Sequence, residues 1–137
     1  MTHTTVSPHR EVVIRSAVPT FLVANVARTA QWYAANLGFH TAGTVPQEEP
    51  YAYASVQRGP AEIMLLALAD YEKPDLRHRR PSGLWDAYIR VDGVHALYEQ
   101  WKEQPFMHMP LTQQPYGDWE LEVRDPNGYV LVFGGSY

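Results

Sequence analysis

Apolar and polar positions along the chain fall into two successive blocks that run through the same order of periods. The segment VPTFLVAN (18–25) reads as a strand. Val26, Ala30, Tyr33 and Leu37 then recur at spacings of four, three and four, which puts one apolar stripe on a helix. Asn25 stands where an N-cap belongs and Gly38 where a helix stops. Three more strands are expected at 40–45, 51–57 and 61–67, with PQEEP (46–50) and Arg58-Gly59-Pro60 as turns. The stretch YEKPDLRHRRPSG (71–83) is charged, carries two prolines and has no period, as a surface linker would. The pattern then restarts: a strand at 84–93, a helix at 94–104 with Val94, Leu97, Tyr98 and Trp101 on one face, and strands near 111–114, 118–124 and 129–134. Residues 1–16 read as an N-terminal extension, in which 11–14 could add a short edge strand.

The restart is an internal repeat. A shift of 68 residues carries Phe21, Val23, Val26 and Tyr33 onto Ile89, Val91, Val94 and Trp101, and Ile63 and Leu65 onto Leu131 and Phe133. The expected fold is therefore α+β: two βαβββ repeats, 17–70 and 84–137, joined by the linker 71–83 in one domain. They would form a curved mixed sheet with the helices on the outside. An α+β sandwich without a true repeat is the alternative.

Composition narrows the possibilities. A chain of 137 residues suits one domain with a proper core. It has no cysteine, which excludes disulfides, thiolate metal sites and cysteine nucleophiles. The formal net charge of −4, with no basic run, makes nucleic acid or an anionic membrane a poor partner and a neutral or cationic ligand a better one. No signal-peptide core and no membrane-length apolar run is present, so a cytoplasmic location is expected.

Two segments carry a family resemblance. FLVANVARTAQWYAANLGF (21–39) is similar to a strand, an Asp or Asn, a Ser or Thr, then a Phe/Trp-Tyr pair and Leu-Gly-Phe. YGDWELEVRDPNGYVLVF (116–133) resembles a closing hairpin turned by Asp-Pro-Asn-Gly-Tyr. Together, and with the repeat, they resemble the glyoxalase / bleomycin-resistance / extradiol-dioxygenase superfamily over about residues 17 to 135. In its metal-using members the resemblance implies ligands on the first and last strands of each unit, typically two histidines with one or two glutamates. The matching positions here are Val18, Met64, Asp86 and Val132, a set that cannot hold a catalytic divalent ion. The six histidines show no i,i+4 or His-x-His pair. Neither a metal nor another cofactor is expected.

If the helices cover one side of the sheet, strand parity sends the alternate residues to an open face. That face would hold Thr20, Tyr51, Tyr53 and Met64 from the first unit, and Asp86, Tyr88, Arg90, Glu120, Glu122 and Arg124 from the second; Trp85 has the parity of Ala87 and Ile89, but at the start of its strand a loop could turn it outward to join them. Tyrosines supply flat surface with a polar edge, and carboxylates fix a cationic or hydroxylated ligand. Asp86 fits either a ligand contact or an ion pair with Arg90 or Arg124. The metal-free, bleomycin-resistance-like members sequester a flat cationic antibiotic between two subunits. The resemblance thus implies a homodimer that holds a small aromatic or cationic molecule. The rival readings are a metal-free lyase or isomerase with Asp86 or Glu120 as base and Tyr53 or Tyr88 as acid, and a metal enzyme with relocated ligands.

Overall fold

The computed structural model describes residues 10–137. The first nine residues of the expected extension, with His3 and His9, lie outside the described residues. Residues 10–19 form no strand, and Val12, Val13 and Ile14 are exposed. The edge strand expected at 11–14 is therefore absent. Three consecutive apolar residues have no alternation that could bury one face and wet the other.

The elements follow the expected order. The first unit comprises β1 (Thr20–Val23), α1 (Val26–Trp32), β2 (His40–Val45), β3 (Tyr53–Arg58) and β4 (Ala61–Ala67). The second comprises β5 (Ala87–Arg90), α2 (Val94–Trp101), β6 (Met107–Gln113), β7 (Trp119–Arg124) and β8 (Val130–Gly135). Asn25 caps α1 as its sequence position suggests, its side-chain oxygen accepting the Arg28 N–H at 3.0 Å. The helix widens into a π turn at Tyr33–Leu37, and Gly38 ends it with φ of 73°. β6 is longer than the pattern 111–114 indicated. Two register shifts interrupt its alternation, and Pro110 is accommodated because the strand is an edge.

The mixed sheet is present as two four-stranded sheets, β1-β4-β3-β2 and β5-β8-β7-β6, each with one parallel pair at its start. Their register reproduces the 68-residue repeat. Thr20 pairs with Met64 in the first sheet, and Tyr88 pairs with Val132 in the second. The central strands are related by one residue fewer, Ser55 opposite Met64 and Glu122 opposite Val132, because the turn between β7 and β8 is longer than that between β3 and β4.

The two units share one core. Phe21, Tyr33, Phe39 and Leu65 of the first and Trp101, Phe106, Leu121 and Phe133 of the second belong to the same buried cluster. The closing motif fastens the seam. The Tyr129 ring stacks on Phe21 at 4.1 Å, and its hydroxyl donates to the Leu22 carbonyl at 2.6 Å. Asn127 Nδ2 donates to Thr29 Oγ1 at 3.1 Å, and the buried Tyr33 hydroxyl donates to Asp125 Oδ2 at 2.7 Å. Asp125 also accepts the Asn127 and Tyr129 N–H groups, so one carboxylate both shapes the turn and ties it to α1.

Candidate functional site

Strand parity in the second sheet sorts the side chains cleanly. Ala87, Leu121, Val123, Leu131 and Phe133 pack into the core on the side of α2. Tyr88, Arg90, Glu120, Glu122, Arg124 and Gly134 take the opposite face. The register sets Tyr88, Val132 and Glu122 in one row and Arg90, Gly134 and Glu120 in the next.

Glu120 is the centre of this face. It is only 4% exposed, and its Oε2 accepts the Tyr88 hydroxyl at 2.6 Å. The Tyr116 hydroxyl, brought back by the turn between β6 and β7, donates to the same oxygen. Burial pushes the Tyr88 phenol well above its ordinary value, and the hydrogen bond and charge of Glu120 push the same way. The bond to Glu120 raises Tyr116 to about 12. Both phenols therefore keep their protons at neutral pH and aim them at the carboxylate. Gly134 makes room beneath them, since a Cβ there would fall 2.3 Å from the Tyr88 hydroxyl oxygen and 2.9 Å from Glu120 Cγ.

Glu122, one row along, accepts the Trp85 indole N–H at 3.0 Å. The Trp85 and Tyr88 rings tilt together at 5.8 Å, and the Arg90 guanidinium lies 5.4 Å from the Tyr88 ring centroid. Trp85 is 43% exposed. Two carboxylates framed by aromatic rings match a cation carried on a flat apolar body.

Asp86 makes neither of its expected ion pairs. Its Oδ2 accepts the Val130 N–H at 2.8 Å and lies 3.4 Å from Lys73 Nζ. The backbone bond holds the carboxylate at the start of β8, where the linker delivers Lys73, while Arg90 is drawn over Tyr88 instead.

The remaining expected residues are dispersed. Thr20, Tyr53 and Met64 share the open face of the first sheet, where Ser55 donates to Glu62 at 2.6 Å and Leu22 and Leu66 are partly exposed. Tyr51 precedes β3 and packs against the core, because the strand parity used to orient it does not extend that far. Arg124 lies at the far end of β7. The structure thus gathers Trp85, Tyr88, Arg90, Glu120 and Glu122, and sequence reasoning missed Tyr116 and Lys73. Both sit in segments without a period. The available signal for Tyr116 was a Tyr-Gly turn directly ahead of β7, which folds an aromatic ring back over the strand it precedes.

Two βαβββ units around one core, each leaving a sheet face open, define a class of α+β domain rather than one reaction. The chain belongs to the Glyoxalase/Bleomycin resistance protein/Dioxygenase superfamily, whose sequence profile matches residues 15–133. No curated protein matches the sequence. Among solved structures it is similar to a glyoxalase-related enzyme from Clostridium phytofermentans, with 18% identity and a TM-score of 0.70, covering 94% of this chain and 100% of that one. TioX from Micromonospora sp. ML1 is similar at 18% identity and a TM-score of 0.66, covering 90% and 98%. The bleomycin-binding protein of bleomycin-producing Streptomyces verticillus, solved with copper(II)-bleomycin, shares 22% identity with a TM-score of 0.64, covering 90% and 97%. At these identities the likeness establishes the fold. Among the described residues no helix is long and apolar enough to cross a membrane.

Proposed function

We propose that the protein is a metal-independent binding protein of the bleomycin-resistance type. It holds a small aromatic cation on the open face of the second sheet and works as a cytoplasmic homodimer. The observation that carries this reading is the pair Glu120 and Glu122, one buried beneath two phenols and the other held by an indole. A planar cation laid against Trp85 and Tyr88 would meet both charges in partly desolvated surroundings, where a charge–charge contact is worth most. The half-exposed leucines of the first sheet, Leu22 and Leu66, give a second copy an apolar surface to cover.

The donor chemistry favours metal independence. Val18, Met64, Asp86 and Val132 offer one carboxylate, and that carboxylate is engaged by Lys73 and a backbone N–H. Such a set does not fit a divalent ion. The lyase or isomerase reading is weaker, because the Tyr88 proton is directed at Glu120 and its raised pKa opposes its release to a substrate.

Calorimetric titration with bleomycin, other cationic antibiotics and aromatic amines tests the proposal. At least one should bind, and Glu120→Gln and Glu122→Gln should each weaken it about tenfold or more. Absence of binding across the panel, or binding indifferent to both substitutions, would overturn it.

A further inference from the structure

A cavity lies at the other end of the same sheet. It has a volume of about 370 Å³, within the range of small-molecule sites, and is roofed by the linker. Its floor is Glu122, Arg124 and Val130; its end wall is the turn 125–128; Leu76 and Leu84 supply apolar sides. The linker is tied down over it. Lys73 is ion-paired with Asp86 and lies 5.5 Å from the Tyr129 ring centroid, and the Arg79 and Arg80 N–H groups both return to the Leu76 carbonyl.

The charges in this cavity are unevenly satisfied. Asp75 is clasped by the Arg77 guanidinium at 2.6–3.0 Å. Asp125 is saturated by Tyr33, Asn127 and Tyr129, and Glu122 accepts from Trp85. Lys73 and Arg77 are likewise engaged. Arg124 is different: the residue is half-buried, and among the described residues no carboxylate lies within ion-pairing distance of its guanidinium and no hydrogen bond uses it. It rests against the glycine turn, 3.7 Å from where a Cβ on Gly128 would sit. His108, exposed on the neighbouring strand, also lines the space.

We infer that this cavity, which borders the proposed cation face at Glu122, binds a compact organic anion, with Arg124 as the fork that takes its carboxylate or phosphate. The partnered carboxylates leave the Arg124 guanidinium as the cavity's cation without a partner among the described residues, and guanidinium geometry suits a planar or tetrahedral oxyanion equally. The apolar sides suit a ring or short chain attached to that anion. The site does not depend on the cation-binding reading of Glu120.

Calorimetry on the full chain with benzoate, phenyl phosphate, inorganic phosphate and neutral benzamide tests it. Benzoate or phenyl phosphate should bind saturably and at least about tenfold more tightly than benzamide. The tighter of the two identifies the headgroup, and weaker inorganic phosphate would confirm a role for the apolar sides. Arg124→Gln should lower that affinity about tenfold or more, Arg124→Lys by less, and Asn25→Ala, remote from the cavity, not at all. In the wild-type protein the Arg124 Nε–Hε resonance should shift on titration, a readout independent of whether the variants fold. Equal binding of benzamide, an unshifted Arg124 resonance, unchanged affinity in a folded Arg124→Gln protein, or no saturable binding of either organic anion would each overturn the inference.

Discussion

Removing one hydroxyl at the seam, Tyr33→Phe, probes how the two units are held together. Tyr33 is fully buried, and its hydroxyl is the described donor to Asp125 Oδ2; the other carboxylate oxygen serves the Asn127 and Tyr129 N–H groups. Without it, an oxygen of a carboxylate that is 4% exposed loses its partner. A bond to a charged group is worth roughly 1.5–3 kcal/mol, so the variant should lose about 2–3 kcal/mol at pH 7. The loss should depend on pH. Burial raises the Asp125 carboxyl, and the bonds from Tyr33, Tyr129 and Asn127 pull it back down. A raised folded-state pKa means that the native state holds its proton longer than the unfolded chain does. The stability from that proton is present below about pH 4, the unfolded value, and fades as pH rises through the folded value. Deleting the Tyr33 bond raises the carboxyl further and deepens the penalty above that window. Below about pH 4 the carboxyl is neutral in both states, and the loss should shrink to about 1 kcal/mol, a neutral hydrogen bond. Urea unfolding of wild type, Tyr33→Phe, Asp125→Asn and the double variant at pH 7 and near pH 3 measures both the loss and its coupling. A loss below about 0.5 kcal/mol at pH 7, or one equal at both pH values, would refute the reasoning.

Gly134→Ala should damage binding of the cationic probes more than stability, costing about 1–3 kcal/mol in unfolding while displacing Tyr88 from Glu120. A crystal structure of the variant with the Tyr88–Glu120 bond intact would contradict this. Gly135→Ala should be far worse, since its Cβ would lie 2.0 Å from the Val91 carbonyl oxygen, a backbone atom that cannot swing aside. A loss above about 3 kcal/mol, seen as an unfolded or insoluble product, is expected. Asn25→Ala removes the α1 cap and should cost about 1 kcal/mol by urea unfolding, with ligand binding unchanged.

Much of the fold was legible because it is written in local periods. The 68-residue offset, the Asn25 cap and the Gly38 stop all come from spacing and backbone preference, and each is in place. β6 was misjudged for the same reason, since bulges and Pro110 break the alternation that marks a strand. Trp101 is buried as its helical stripe implies, and Trp85 is partly exposed, as its place at the start of the expected strand allowed.

The site was legible only where strand parity held. Tyr88, Arg90, Glu120 and Glu122 were assigned to one face by alternation along β5 and β7, and they share it. Tyr51 fell outside its strand, so parity could not orient it. Tyr116 and Lys73 belong to segments with no period, and their partners are distant in sequence: Lys73 meets Asp86 through a bend of the linker. Asp86 illustrates the limit, since its sequence neighbours suggested Arg90 or Arg124 while the backbone at Val130 and the path of the linker chose Lys73.

By itself the sequence determined the order of elements, their repeat and the face each strand residue takes, because these follow from local spacing and backbone chemistry. Only the tertiary structure decided which charges are satisfied. It gave Glu120 two phenols and Asp86 a lysine, and it left Arg124 facing an open cavity, because those partnerships depend on where irregular segments come to rest against the sheet.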